Sequence, residues 1–229
     1  MDILIYHPEC QDNLQHYILT ISVSSCNLWS ISKININEFN NLTSIKFYDN
    51  IRGIVVGKFN SIYFTQDSGL TWLNISKREL DQYSYNKVIY EDINRAYIGG
   101  EGGVFLQLDY LYNEWIYYKR KISKYLDIDE PTEEYLFVDD INDMSISTFT
   151  SSWGLTYSEE TTNFILDRKE VLFIVSNGGN VILADINNFI SNYDFLYLSF
   201  TQSKSDIQSL SVVSGSSSVY ISSDKLYSI

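Results

Sequence analysis

Hydrophobic residues in this chain fall into short runs that polar residues interrupt every few positions. "SIKFYD" (44–49) alternates, with Ile45 and Phe47 on one side, the period of two expected of a half-covered strand. "GIVVGK" (53–58) is continuously apolar at its centre, as a strand covered on both faces should be. "SIYFTQ" (61–66) and "LTWLNI" (70–75) then flank a turn at Asp67, Ser68 and Gly69. Four short antiparallel strands are thus predicted between residues 44 and 75.

The pattern recurs. Shifted by 43 positions, "SIKFYDNIRGIVVGKFNSIYF" (44–64) lies over residues 87–107 without a gap. Ile45 meets Val88, Phe47 meets Tyr90, Asp49 meets Asp92 and Arg52 meets Arg95. Gly57 meets Gly100, Ile62 meets Phe105, and further on Trp72 meets Trp115. Looser copies stand at 18–34, 139–158, 170–186 and 210–229, each an apolar run, a turn of small residues and a second strand. Six units averaging about 38 residues are the signature of a β-propeller, whose blades cannot bury their faces alone and so stack into a ring. The expected architecture is all-β: one propeller domain over 1–229, of about six (five to seven) four-stranded antiparallel blades. The units are placed near 1–36, 37–80, 81–125, 126–165, 166–200 and 201–229. "DILIY" (2–6) is expected to pair in the blade that holds "KLYSI" (225–229), which would close the ring and remove its open edges.

Composition supports the strand reading. Aromatic residues make up 15% and include 19 tyrosines, while Asn, Ser and Gly supply turns and only two prolines occur. The net charge of −13 and the lack of a Lys/Arg stripe exclude a phosphate-backbone partner on electrostatic grounds. No run of 18 apolar residues predicts a membrane span. "MDILIYHPEC" carries an acid where a signal peptide has its basic region, so synthesis in the cytoplasm without export is expected.

"TQDSGLTW" (65–72) resembles the Asp box, S/T-x-D-x-G-x-T-W, of sialidase-type β-propellers, and the preceding residues are similar to blades of photosystem assembly factors. In the second unit Tyr110 stands in place of the acid although Trp115 is kept, and "TSSWGLTY" (150–157) has Ser152 and Tyr157 at the Asp and Trp positions. The box needs no catalysis. Asp67 can bond backbone N–H groups within the turn, Gly69 can take a positive φ, and Trp72 can lay a ring between neighbouring sheets. Thr65, Asp67, Gly69, Thr71 and Trp72 are therefore read as a hairpin lock, which the resemblance places on the outside of the ring.

The resemblance would also imply a sialidase site of three arginines, a Tyr–Glu pair and an acid. Only Arg52, Arg78, Arg95, Arg120 and Arg168 are present, and no Phe-Arg-Ile-Pro-like stretch occurs near the start. Arg52 and Arg95 share a repeat position, which reads as a repeated turn contact. The eight carboxylates of 127–143 form either a solvated loop or a calcium or docking patch. His7, Cys10, His16 and Cys26 could form a zinc set, the alternative being ordinary core or surface roles. "GGEGG" (99–103) reads as a hairpin turn rather than a dinucleotide loop.

No catalytic residue or cofactor is assigned. The expected function is a non-catalytic, tyrosine-rich protein-interaction platform in a larger assembly, most specifically a virion tail or neck component of a tailed bacteriophage. A glycan-binding module is the alternative, in which Trp29, Tyr63, Trp115 and Trp153 would cluster on one face; an assembly factor comes next.

Overall fold

The computed structural model describes residues 22–23, 29–30, 41–120, 122–124, 139–148, 153–156, 163–166, 170–179, 181–184, 195–199, 208–212, 219–222 and 226–228. The chain divides into two compact units, Met1–Tyr118 and Lys119–Ile229. Among the described residues all regular elements are strands apart from three single-turn 3-10 helices at Arg78–Leu80, Glu101–Gly103 and Asn177–Gly179. Among the described residues no helix is long and apolar enough to cross a membrane.

The first unit opens with a two-stranded ladder of β1 (Ser22–Val23) and β2 (Trp29–Ser30). β3 (Leu42–Phe47), β4 (Gly53–Gly57), β5 (Ser61–Thr65) and β6 (Leu73–Asn74) form a four-stranded sheet in that order. β7 (Tyr85–Asp92), β8 (Arg95–Gly100), β9 (Phe105–Leu111) and β10 (Glu114–Arg120) form a second, again with sequence neighbours adjacent. Short turns between successive strands enforce the antiparallel meander.

Register explains how the two sheets meet. Ile54 lies opposite Phe64 and Val56 opposite Ile62, so these four side chains share one face of the first sheet. Val88, Ile98 and Leu106 align across the second sheet, as do Ala96 and Leu108. The two sets interdigitate in one core with Leu80, Tyr85, Val104 and Trp115. Complete burial of each large apolar side chain contributes about 1.5–3 kcal/mol, which makes this face-to-face contact the main cohesion of the pair. The opposite face of the first sheet carries Ile45, Val55, Tyr63 and Trp72.

Along one margin β3 and β7 are tied by side chains. Thr43 Oγ1 donates to the Tyr85 carbonyl at 2.6 Å, and the Val88 N–H donates to Ser44 Oγ at 3.2 Å. The β4–β5 turn is bound to the segment before β7. Asn60 (φ 54°) donates its N–H to the Tyr83 carbonyl and accepts the Tyr85 hydroxyl at 2.9 Å.

The second unit contains β11 (Ile122–Lys124), β12 (Ile141–Thr148), β13 (Trp153–Thr156), β14 (Asn163–Leu166), β15 (Glu170–Ser176), β16 (Val181–Ala184), β17 (Phe195–Ser199), β18 (Ser209–Val212), β19 (Val219–Ser222) and β20 (Leu226–Ser228). β18, β19 and β20 make a three-stranded antiparallel sheet and β13–β14 a separate hairpin. The remaining strands form a five-stranded sheet in the order β11-β17-β16-β15-β12.

Two features here depart from the sequence expectation. β12 pairs with β15, across the limit drawn at residue 165, in a register that runs from Ile141–Ser176 to Thr148–Glu170 with one irregularity between Ile141 and Asp143, and that sets buried Met144 against buried Ile174. β11 pairs with β17 in parallel, so not every pairing is antiparallel. The strands proposed to close a ring include residues 2–6, which lie outside the described residues, and no closed ring stands among the described residues.

Candidate interaction groove

The 65–72 loop is held by its own side chains. Thr65, buried at the end of β5, donates its hydroxyl to Asp67 Oδ1 at 2.8 Å and accepts the Gly69 N–H at 3.0 Å. Asp67 in turn accepts the Thr71 N–H at 2.8 Å and the Thr71 hydroxyl at 2.5 Å. The hydroxyl, then the N–H, of Thr71 holds the Asp67 carboxyl below its ordinary range. Gly69 has φ 82°, left-handed backbone that favours glycine.

Trp72 donates its indole N–H to the Gly69 carbonyl at 3.1 Å and meets Phe47 edge-on at 6.0 Å. It sits on the face of its sheet turned away from β7–β10. Trp115, its repeat partner, is the ring laid between two described sheets: it contacts Phe64 edge-on at 5.3 Å and Tyr110 at 5.1 Å.

The repeated arginines make unlike contacts. Arg52 forks onto Asp49 three residues earlier, and Asp49 also accepts the N–H of Arg52, then that of Ile51, which lower its pKa. Arg95 instead donates to Asp109 at 2.7 Å and lies 3.8 Å from Glu91. Burial opposes the Arg95 charge, but Asp109 outweighs it and holds the guanidinium more firmly protonated. Gln107 also donates to Asp109, and the Tyr97 hydroxyl to Glu91. Tyr97 is fully buried, and that burial raises its pKa, so this Tyr–Glu pair presents no accessible nucleophile.

At the margin opposite β3 and β7, a groove of about 730 Å³ opens between the two sheets. One wall comes from β6 and the residues after it, through Leu73, Asn74, Ser76 and Lys77; the other comes from Tyr110, Asn113, Glu114 and Trp115. Two clamps cross it. Gln66 Nε2 donates to the Tyr110 hydroxyl at 2.8 Å, and the Tyr117 hydroxyl donates to the Ile75 carbonyl at 2.6 Å. Trp115 is 5% exposed, and its buried indole N–H has no hydrogen-bond partner among the described residues.

The strands and loops that carry this margin also expose large apolar side chains: Leu70, Leu73, Leu111, Tyr112, Ile116 and Tyr118. Tyr112 is 97% exposed and stands with Asn113 in the β9–β10 turn, where both residues have positive φ (53° and 66°). That two-residue left-handed turn matches the twist of a tight hairpin, but glycine or asparagine normally fills its first position.

Of the four residues expected on one interaction face, the structure describes the side chains of two. Tyr63 and Trp115 are both buried and lie on opposite sides of the first sheet, because Tyr63 aligns with Val55 and Trp115 packs on Phe64. Trp29 and Trp153 stand on β2 and β13, and their side chains lie outside the described part. His7, Cys10, His16 and Cys26 also lie outside it. Among the described residues no group of three or more His, Cys, Asp or Glu could hold a metal ion. Of the 127–143 stretch, Asp140 accepts the Asn177 side-chain amide, and Asp143 accepts the Met144 N–H. "GGEGG" forms the β8–β9 turn, with Gly102 and Gly103 at positive φ. Among the described residues Trp115 is the one expected interaction residue that lines the groove; Tyr112, Asn113 and the rest of its walls carry no sequence signal beyond a Tyr-Asn pair between two strands.

No family model matches the chain, and no curated protein matches its sequence. Among solved structures the chain is similar to one described as YCF48 bound to D1 peptide, at 16% identity and a TM-score of 0.32, over 80% of this chain and 75% of that one.

Proposed function

We propose that this chain is a non-catalytic protein-interaction module that docks partners along the β6–β10 margin. The observation that carries the reading is the apolar belt at that margin, with Tyr112 held fully exposed in left-handed backbone. Exposed aromatic area in a conformation that costs energy is characteristic of a contact residue rather than a packing one. The non-catalytic part rests on the Glu91–Arg95–Tyr97–Asp109 set, whose members bond one another around a buried tyrosine.

In the same reading the two four-stranded sheets are successive blades of an Asp-box propeller. Support comes from their 43-residue relation and from equivalent edges and faces meeting in order. The most specific setting is a tail or neck component of a tailed bacteriophage, which the acidic, Ile-, Asn- and Tyr-rich composition fits. Presence of the chain in purified virions tests that setting.

The docking role is tested by placing a photo-crosslinking amino acid at Tyr112, and at exposed Lys46 on β3 as control, in cells that produce the protein naturally. A discrete protein adduct at Tyr112 and none at Lys46 is expected. No adduct at Tyr112, or equal adducts at both, overturns the reading.

A further inference from the structure

We propose that the groove between β6 and β10 binds a neutral oligosaccharide, a ligand separate from the protein partner argued above. Its volume of about 730 Å³ falls within the range of small-ligand sites, about 300–1,000 Å³. The choice of ligand follows from the walls.

Several polar groups there have hydrogen-bonding capacity that the fold does not use. Gln66 spends its amide nitrogen on Tyr110 and keeps its carbonyl oxygen, and Tyr110, having accepted that bond, keeps its own proton to donate. Asn113 and Glu114 are exposed on the opposite wall, and Lys77 extends over the Tyr117 ring at 5.7 Å. Behind them the Trp115 indole N–H is buried and has no partner among the described residues, a donor that the groove wall leaves unpaired. Amide, hydroxyl, carboxylate and ammonium groups over an aromatic floor of Phe64, Tyr110 and Trp115 suit a ligand with apolar ring faces and hydroxyl edges.

Other ligands fit less well. One ammonium and one carboxylate leave the groove without net charge, and the chain carries −13, so a polyanion gains nothing there. An extended peptide would need a run of open strand edge, yet β6 is two residues long and only Glu114 and Trp115 of β10 line the groove. Recognition must therefore run through side chains.

The test is a glycan array holding neutral and acidic oligosaccharides. The best neutral binder is then titrated into ¹⁵N-labelled protein while the Trp115 indole signal, assigned by its loss in Trp115→Phe, is followed. A neutral glycan should bind, move the Trp115 signal, and leave that of Trp72, whose N–H is taken by Gly69, in place. Asn113→Gly, which keeps the left-handed turn, and Glu114→Ala, which is exposed, should each weaken binding about tenfold, as loss of a hydrogen bond to ligand does. No neutral binder, acidic binders alone, an unmoved Trp115 signal, or full affinity in both variants overturns the proposal. A protein adduct at Tyr112 without saccharide binding would overturn this proposal only.

Discussion

Gly57 faces Leu42 across a register shift in the β3–β4 ladder, and Gly100 faces Tyr85 across the corresponding shift in β7–β8. The residue after each glycine donates its N–H back across the bulge, Lys58 to the Asn41 carbonyl at 2.8 Å and Glu101 to the Ser84 carbonyl at 2.9 Å. The bulge thereby brings one backbone onto the other. A Cβ at Gly57 would stand 2.2 Å from the Asn41 oxygen, and one at Gly100 would stand 2.1 Å from the Ser84 oxygen. Gly57→Ala and Gly100→Ala should each cost about 3 kcal/mol, because backbone cannot move aside as a side chain can. Gly102→Ala meets no atom within 4 Å and pays only for its φ of 62°, about 1 kcal/mol. Urea midpoints of the three variants check this; equal losses would remove the distinction.

Arg52 and Arg95 also share a repeat position but differ in what they neutralise. Arg52 and Asp49 are each about a third exposed at 32% and lie within one turn, a pair worth about 0–1 kcal/mol. Glu91 and Asp109 are 10% and 14% exposed, so removing Arg95 leaves two poorly solvated carboxylates. Arg95→Ala should cost about 2 kcal/mol, less than a fully buried pair because Arg95 itself reaches solvent, and Arg52→Ala under about 1 kcal/mol. Chemical denaturation of both variants at low and high salt tests the contrast. The Arg52 effect should fade with salt and the Arg95 effect should largely persist.

The Asp67 lock has a definite pH signature. Its carboxyl pKa lies below the ordinary 3.8, so the folded chain favours the ionised form. The resulting stabilisation is complete above 3.8 and is lost as pH falls through the lowered value. The stability difference between the native chain and Asp67→Ala should therefore hold above about pH 4 and shrink progressively as pH falls below it. The protection factor of the Thr71 amide, which donates to Asp67, should fall over the same interval once the intrinsic exchange rate at each pH is divided out. A difference that stays constant down to pH 3 would mean that the threonine hydroxyls, not the charge, hold the loop.

Legibility in the sequence followed the physics of each feature. Alternation and apolar runs placed β4 and β5 to within one residue and β3 two residues late, because burial on one or two faces dictates those patterns. The 43-residue shift marked Gly57 with Gly100 and Trp72 with Trp115. It could not show that the glycines sit at bulges, since a bulge is a property of two strands together. Nor could it show that Arg95 would choose Asp109: position 109 corresponds to Gln66 in the first unit, so that partner does not repeat. β11 and β17 pair across a separation that local periodicity cannot encode. The groove escaped for the same reason, as its walls come from two sheets and its polar groups are ordinary surface residues when read in line.

Tyr112 joins stability to function most directly. A tyrosine at φ 53° holds a conformation that costs an L-residue about 1–2 kcal/mol, and at 97% exposure its ring recovers none of that by packing. Asparagine tolerates the left-handed region and is favoured at this turn position. Tyr112→Asn should therefore raise stability by about 0.5–1 kcal/mol, an increase in urea midpoint with unchanged slope. The same variant should lose binding to the protein partner identified by crosslinking, because the exposed ring is the contact. Stability gained with binding retained would show the strain to be incidental and move the docking site elsewhere on the margin. Stability gained with binding lost is the outcome expected of a residue kept in strain for its contact.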